Sequence, residues 1–145
     1  MNLYSWLALA SYSLVFLIVV TFALVYLRRS DFLPYHSIAT ARTWDQLDSR
    51  MQLLIMALIK VAGWAWLALA IAGFSLLYLL FTGNAAVTQL VMFQVFCLVA
   101  VTPPVAIAIY VRNKTAAPTP IRSGSLVVVL TLLGFTFALL SEFYP

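Results

Sequence analysis

Four apolar runs limit what this chain can fold into. Leu3 to Leu27 carries no formal charge, Met51 to Phe81 carries only Lys60, and neither Ala86 to Val111 nor Ser123 to Ser141 carries any. A helix rises about 1.5 Å per residue, and a hydrocarbon core of about 30 Å takes roughly 20 apolar residues to cross. Within lipid the backbone must satisfy its own hydrogen bonds, which leaves helices for runs of this length. The shorter alternating segments of a membrane β-barrel are absent. Only 8% of the residues are charged, against about 25% in soluble domains, so most of the surface must face lipid. The expected fold is all-α: a four-helix transmembrane bundle forming one domain over residues 1–145. Its expected spans are 3–27, 51–81 with an interfacial helical lead-in from Trp44, 86–111 and 123–141.

The basic residues set an expected threading. Arg28, Arg29, Arg42 and Arg50 lie in the first connection, and Arg112, Lys114 and Arg122 in the third. Lys60 is the one basic residue elsewhere. Positive residues collect on the cytoplasmic side, which predicts both ends outside and the first and third connections in the cytoplasm. Tyr4, Trp6, Tyr78, Phe81 and Tyr144 then fall at the outer interface, and Tyr26, Trp44 and Tyr110 at the inner one. The first run has no basic residue before it and Arg28-Arg29 after it, the pattern of a retained span rather than of a cleaved signal. Gly83, just past the second run, reads as a left-handed helix stop. The net charge of +4 sits beside spans rather than on a basic face, so no nucleic-acid partner is expected. Cys97 is the single cysteine, which rules out an intrachain disulfide and a cysteine metal cluster.

Arg28 to Arg50 is the one long polar segment and holds the only histidine, His36. Thr43-Trp44-Asp45-Gln46 reads as a capping box, with Asp45 in the first turn suiting the helix dipole. A helix is predicted to start there and run into the second span, with Trp44, Leu47, Met51, Leu54, Ile55 and Leu58 as one apolar stripe. Phe32-Leu33-Pro34-Tyr35 is predicted to fold back onto the headgroups. His36 titrates near neutral pH, so it reads either as an acid–base or ligand residue or as an interfacial hydrogen-bonding one. If a site lies here, Tyr35, His36, Asp45 and Arg50 are its candidates.

Within the runs, Lys60 reads either as an anchor snorkelling to the interface or as an ion-pair or ligand contact. Pro103-Pro104 removes donors to the carbonyls of Val99 and Ala100 and predicts a kinked or broken third span, with Gln94 on the same helix. Broken helices line transporter sites, but many are packing kinks. Two small-residue stripes are predicted helix contacts: Ala65, Ala68, Ala72 and Ser75, and Thr131, Gly134, Ala138 and Ser141.

In topology alone, the chain resembles the membrane-associated eicosanoid and glutathione metabolism family. That family binds glutathione through Arg, Asn and Glu residues entering its second helix. The matching stretch here, ARTWDQLDSRMQ, offers Arg42, Asp45 and Arg50 without asparagine or glutamate, so no site residue carries over. The pattern FLPYH…W…L…R.Q.L…K..G also resembles small uncharacterised bacterial four-helix inner-membrane proteins, a likeness that implies a bacterial inner (plasma) membrane and no activity.

With no paired intramembrane acids and no metal or nucleotide motif, the leading expectation is a non-catalytic structural or accessory subunit. Its partners would be the lipid bilayer and other membrane subunits, or further copies of itself, without a cofactor. The alternatives are a small membrane enzyme with a site around the first connection, and a small transporter using Lys60, Gln94 and the third-span break.

Overall fold

The structure is a computed structural model that describes residues 2–83 and 86–143. It is all-helical among these residues. Helix α1 spans Leu3–Arg28, α2 Pro34–Thr40, α3 Ser49–Thr82, α4 Val87–Thr115 and α5 Ile121–Phe143, with a single 3-10 turn at Trp44–Gln46. Four of these, α1, α3, α4 and α5, are long and apolar enough to cross a membrane. Tyr144, expected at the outer interface, lies outside the described residues.

Helix α1 is the element the others pack against. It runs beside α3 on one flank and α5 on the other, α4 closes on α5, and α3 and α4 touch only sparsely. Its buried residues Ala8, Ser11, Tyr12, Val15, Phe16, Val19 and Ala23 recur at helical spacing. Tyr12, Val15 and Phe16 meet Leu77 of α3, Phe93, Cys97 and Val101 of α4, and Val127 of α5 in one core. At the end remote from the arginines, Ala8, Leu90 and Ala138 form a smaller cluster. There Asn2 caps α1 through the Ser5 N–H, and its Nδ2 donates to the Ser141 carbonyl at 3.1 Å, tying α1 to the end of α5.

Two glycines let backbones close in. A Cβ on Gly73 would stand 2.1 Å from the Phe16 ring, and one on Gly134 3.0 Å from the Tyr12 ring. In lipid, dispersion at such contacts replaces the hydrophobic drive between helices. The expected stripe on α5 is therefore used: Thr131, Gly134 and Ala138 are buried. The expected stripe on α3 is not. Ala65, Ala68, Ala72 and Ser75 are all exposed, and Ile59, Gly63, Ala70, Gly73 and Leu77 form the packed face instead. The composition of a face says which side can approach closely. Which side does so depends on where the partner's bulk lies, and Phe16 and Leu27 of α1 sit against the glycines.

Several local expectations are corrected. Half of the Thr43–Gln46 box forms: the Thr43 N–H donates to Gln46 Oε1 at 2.9 Å, while the Gln46 N–H donates to the Thr43 backbone carbonyl at 3.2 Å and closes only the 3-10 turn. Leu47 and Asp48 are extended and interrupt the lead-in, and Asp48 caps α3 afresh through the Arg50 and Met51 N–H groups. An aspartate two residues past the first box offers a second cap, and the chain uses both. Helix α4 is continuous through Pro103-Pro104. Proline removes donors but holds a helical φ, so the surrounding ladder carries the helix on to Thr115. Gly83 ends α3 in extended backbone, φ −94°. Among the described residues the left-handed positions are Ala41, φ 53°, after α2, and Ala116, φ 57°, after α4.

Candidate functional site

The inner faces of the long helices are filled differently at their two ends. Towards the end remote from the arginines they carry Tyr12, Phe16 and Phe93, whose rings meet edge-on or tilted at 4.9–6.1 Å. Towards the arginine-bearing end the equivalent positions carry Ala62, Pro104, Ala108 and Gly124. Close packing needs facing volumes to sum to the space between elements. Here they fall short, and a cavity of about 600 Å³ remains. That lies within the roughly 300–1,000 Å³ of small-molecule sites.

Every long helix contributes a wall. Val19, Phe22 and Tyr26 come from α1, Ala62 and Trp66 from α3, Val101 to Val111 from α4, and Gly124 and Val127 from α5. The α4–α5 connection supplies Thr119 and Pro120. Thr119 is buried, and its Oγ1 donates to the Ala108 carbonyl at 2.9 Å, which folds the connection back on α4. Helix α2 adds Tyr35, His36 and Ala39 at the arginine-bearing end.

Sequence reasoning missed α2. Seven residues including β-branched Ile38 and Thr40 carry weak helical preference, and only Pro34 at the first position hints at a start. Tertiary contacts hold it. Phe32 and Leu33, just before it, are buried. The Phe32 ring meets Trp44 edge-on at 5.1 Å and His36 at 5.8 Å. The Tyr35 and Tyr26 hydroxyls share a hydrogen bond of 2.7 Å, fastening α2 to α1.

The cavity lining at this end is uncharged. Burial, and then the hydrogen bond with Tyr26, push the Tyr35 phenol above its ordinary value, so it stays protonated. Burial also lowers the His36 imidazole below its ordinary 6.5, which keeps it uncharged at neutral pH. The cavity wall contains no Lys, Arg, Asp or Glu among the described residues.

The candidates from sequence therefore separate. Tyr35 and His36 stand together on the cavity. Asp45 in the 3-10 turn and Arg50 in the first turn of α3 are exposed and do not line the cavity. Lys60 is half-buried and donates from Nζ to the Leu27 carbonyl at 2.6 Å and the Arg29 carbonyl at 2.5 Å. Its side chain reaches toward the arginine-bearing end, and among the described residues no acid pairs with it. It caps the end of α1, where unsatisfied carbonyls and the negative end of the helix dipole favour a cation. Gln94 is buried in the core, where its Oε1 accepts from the Tyr12 hydroxyl at 2.8 Å, and it does not reach the cavity. Tyr26, expected at the inner interface, and Pro104, expected at the third-span break, line it, whereas Trp66 and Thr119 were not anticipated. Val19 and Tyr26 lie on the inner side of α1, but that run is apolar all round and offers no period from which to pick them. Among the described residues no three His, Cys, Asp or Glu side chains come together as a metal site would need. Compared with protein-family models, curated proteins and solved structures, the chain matches none.

Proposed function

We propose that this chain is a non-catalytic integral membrane protein, a four-helix bundle with its arginine-bearing end in the cytoplasm. Its role is to hold a hydrophobic molecule between α1, α3, α4 and α5 beneath α2. The observation that carries this reading is the apolar cavity of about 600 Å³ on which Tyr26, Tyr35, His36 and Thr119 converge. An apolar pocket with a few convergent polar groups is the usual form of a small-molecule site. Among the described residues the wall carries no Asp, Glu, Lys or Arg, and His36 is its one titratable nitrogen, which favours holding over chemistry.

The test is the lipid content of the gently extracted protein. Mass spectrometry of the wild type should show a retained molecule, and Ala108→Phe, which fills the cavity, should lose it while remaining folded. Identical lipid profiles for the two proteins would overturn the reading.

A second reading follows from α3. Ala65, Ala68, Ala72 and Ser75 form a small-residue face that no helix of this chain covers, and such faces admit a close helix neighbour. This favours an accessory or homo-oligomeric subunit. Cross-linking of Ala68→Cys in native membranes should then trap an adduct. A monomer alone in native-like lipid would exclude it.

A further inference from the structure

We infer that the molecule held in the cavity has an uncharged, oxygen-bearing head, an alcohol or a carbonyl, which hydrogen-bonds to Tyr26, Tyr35 and His36 while its hydrocarbon tail lies along α1, α4 and α5. The inference rests on the proposed function and names the chemical class of ligand for that site.

Three observations select this head. First, the wall offers no counter-ion: Arg28, Arg112 and Arg122 flank it in sequence, but all three are exposed and none lines it. A charged group drawn inside would be desolvated without a partner, which is costly. Second, two hydroxyls meet at Tyr26 and Tyr35, 2.7 Å apart, and either can be the donor. One O–H is spent on the pair, so the other remains to donate to a ligand oxygen. Third, the His36 ring makes edge contacts with Phe32 and Tyr35 but no hydrogen bond to any described residue. Uncharged imidazole has one N–H and one bare nitrogen. Together the cluster presents donors and an acceptor without charge. A hydroxyl can satisfy both kinds, and a carbonyl can take the donors. The Thr119 hydroxyl proton is already given to Ala108, so Thr119 offers only acceptor capacity.

Trp66 lines the same cavity and supplies an optical probe. The protein in lipid nanodiscs would be titrated with dibrominated octadecanol, dibrominated octadecyl sulfate and dibrominated octadecane. Bromine on the tail quenches nearby indole. The Trp66 signal is the difference between the wild type and Trp66→Phe. The alcohol should quench Trp66 at a concentration about tenfold lower than the sulfate, a difference equal to one good hydrogen-bonded contact. Tyr35→Phe should weaken the alcohol about two- to tenfold and leave octadecane unchanged. If Tyr35→Phe does not fold, Tyr26→Phe carries the same expectation. Sulfate binding as tight as alcohol, or alcohol binding indifferent to both phenylalanine variants, would overturn the neutral head and leave the cavity reading standing. No quenching of Trp66 by any of the three would overturn both.

Discussion

The Tyr12 hydroxyl donates to Gln94 Oε1 at 2.8 Å, joining α1 to α4 inside the core. Gln94 Nε2 has no partner there. A buried polar atom left unsatisfied costs about 1–3 kcal/mol, whereas exchanging both partners for apolar groups of similar shape is close to neutral. Tyr12→Phe alone should therefore destabilise by about 1–3 kcal/mol, because the whole amide then stands unpaired. Tyr12→Phe with Gln94→Met should recover most of that loss. A double-mutant cycle on thermal unfolding in mild detergent reads the coupling, and additive losses would contradict this account.

Lys60 holds the end of α1 through the Leu27 and Arg29 carbonyls. Hydrogen bonds to a charged group are worth about 1.5–3 kcal/mol each, and solvent at this half-buried site reduces that. Lys60→Met keeps the apolar stem and removes the donor. It should lower the thermal midpoint and raise amide exchange at residues 25–29, with exchange in the α4–α5 half unaffected. Unchanged exchange at the end of α1 would return Lys60 to the role of a headgroup anchor.

Gly73 faces the Phe16 ring with no room for a methyl group, since its Cβ would come within 2.1 Å. Overpacking of this kind costs about 1–3 kcal/mol. Gly73→Ala should destabilise by that amount, and Phe16→Leu in the same chain should restore part of it. Ala72→Gly, next to it but exposed, serves as a control and should act only through helix propensity, about 1 kcal/mol at most.

His36 sets a pH dependence. Its folded value lies below the ordinary 6.5 because burial disfavours the imidazolium. On acidification the unfolded or undocked segment takes up a proton before the docked one does, so docking of α2 is weakened as pH falls below about 6.5 and is unaffected above it. The neighbouring Tyr35 stays protonated throughout this range, because burial and then the hydrogen bond with Tyr26 push its phenol up. Protease accessibility of residues 34–40 should rise between pH 7.5 and pH 5, and His36→Gln should flatten the change. A wild-type profile already flat over that range would sink the assignment.

The candidate site was only partly legible in the sequence. His36 and Tyr35 stood out because they occupy the one polar segment beside the membrane runs, and both line the cavity. Asp45 and Arg50 stood out for the same reason and stay outside it. Composition marks a segment as polar but does not fix the direction in which its side chains leave the backbone. The extended residues Leu47 and Asp48 break the helical period that would have aligned Asp45 with α3. The three interior alanines of the cavity wall, Ala39, Ala62 and Ala108, resemble every other alanine in the chain until their helices are placed.

The sequence by itself determined the four long helices, because runs of that length and apolarity have no other way to satisfy their backbones in lipid. It did not determine the inner face of α1, because that run is apolar on every side. Tertiary structure decided which face of α3 packs, that Lys60 ends α1, that Gln94 answers Tyr12 rather than a substrate, and that α2 exists at all. These depend on volumes and donors brought together from distant parts of the chain. The cavity is the clearest case: Phe16 and Phe93 fill one end of the inner faces, while Ala62, Ala108 and Gly124 leave the other open. A void is a difference between facing volumes, and it has no representation in any single stretch of sequence.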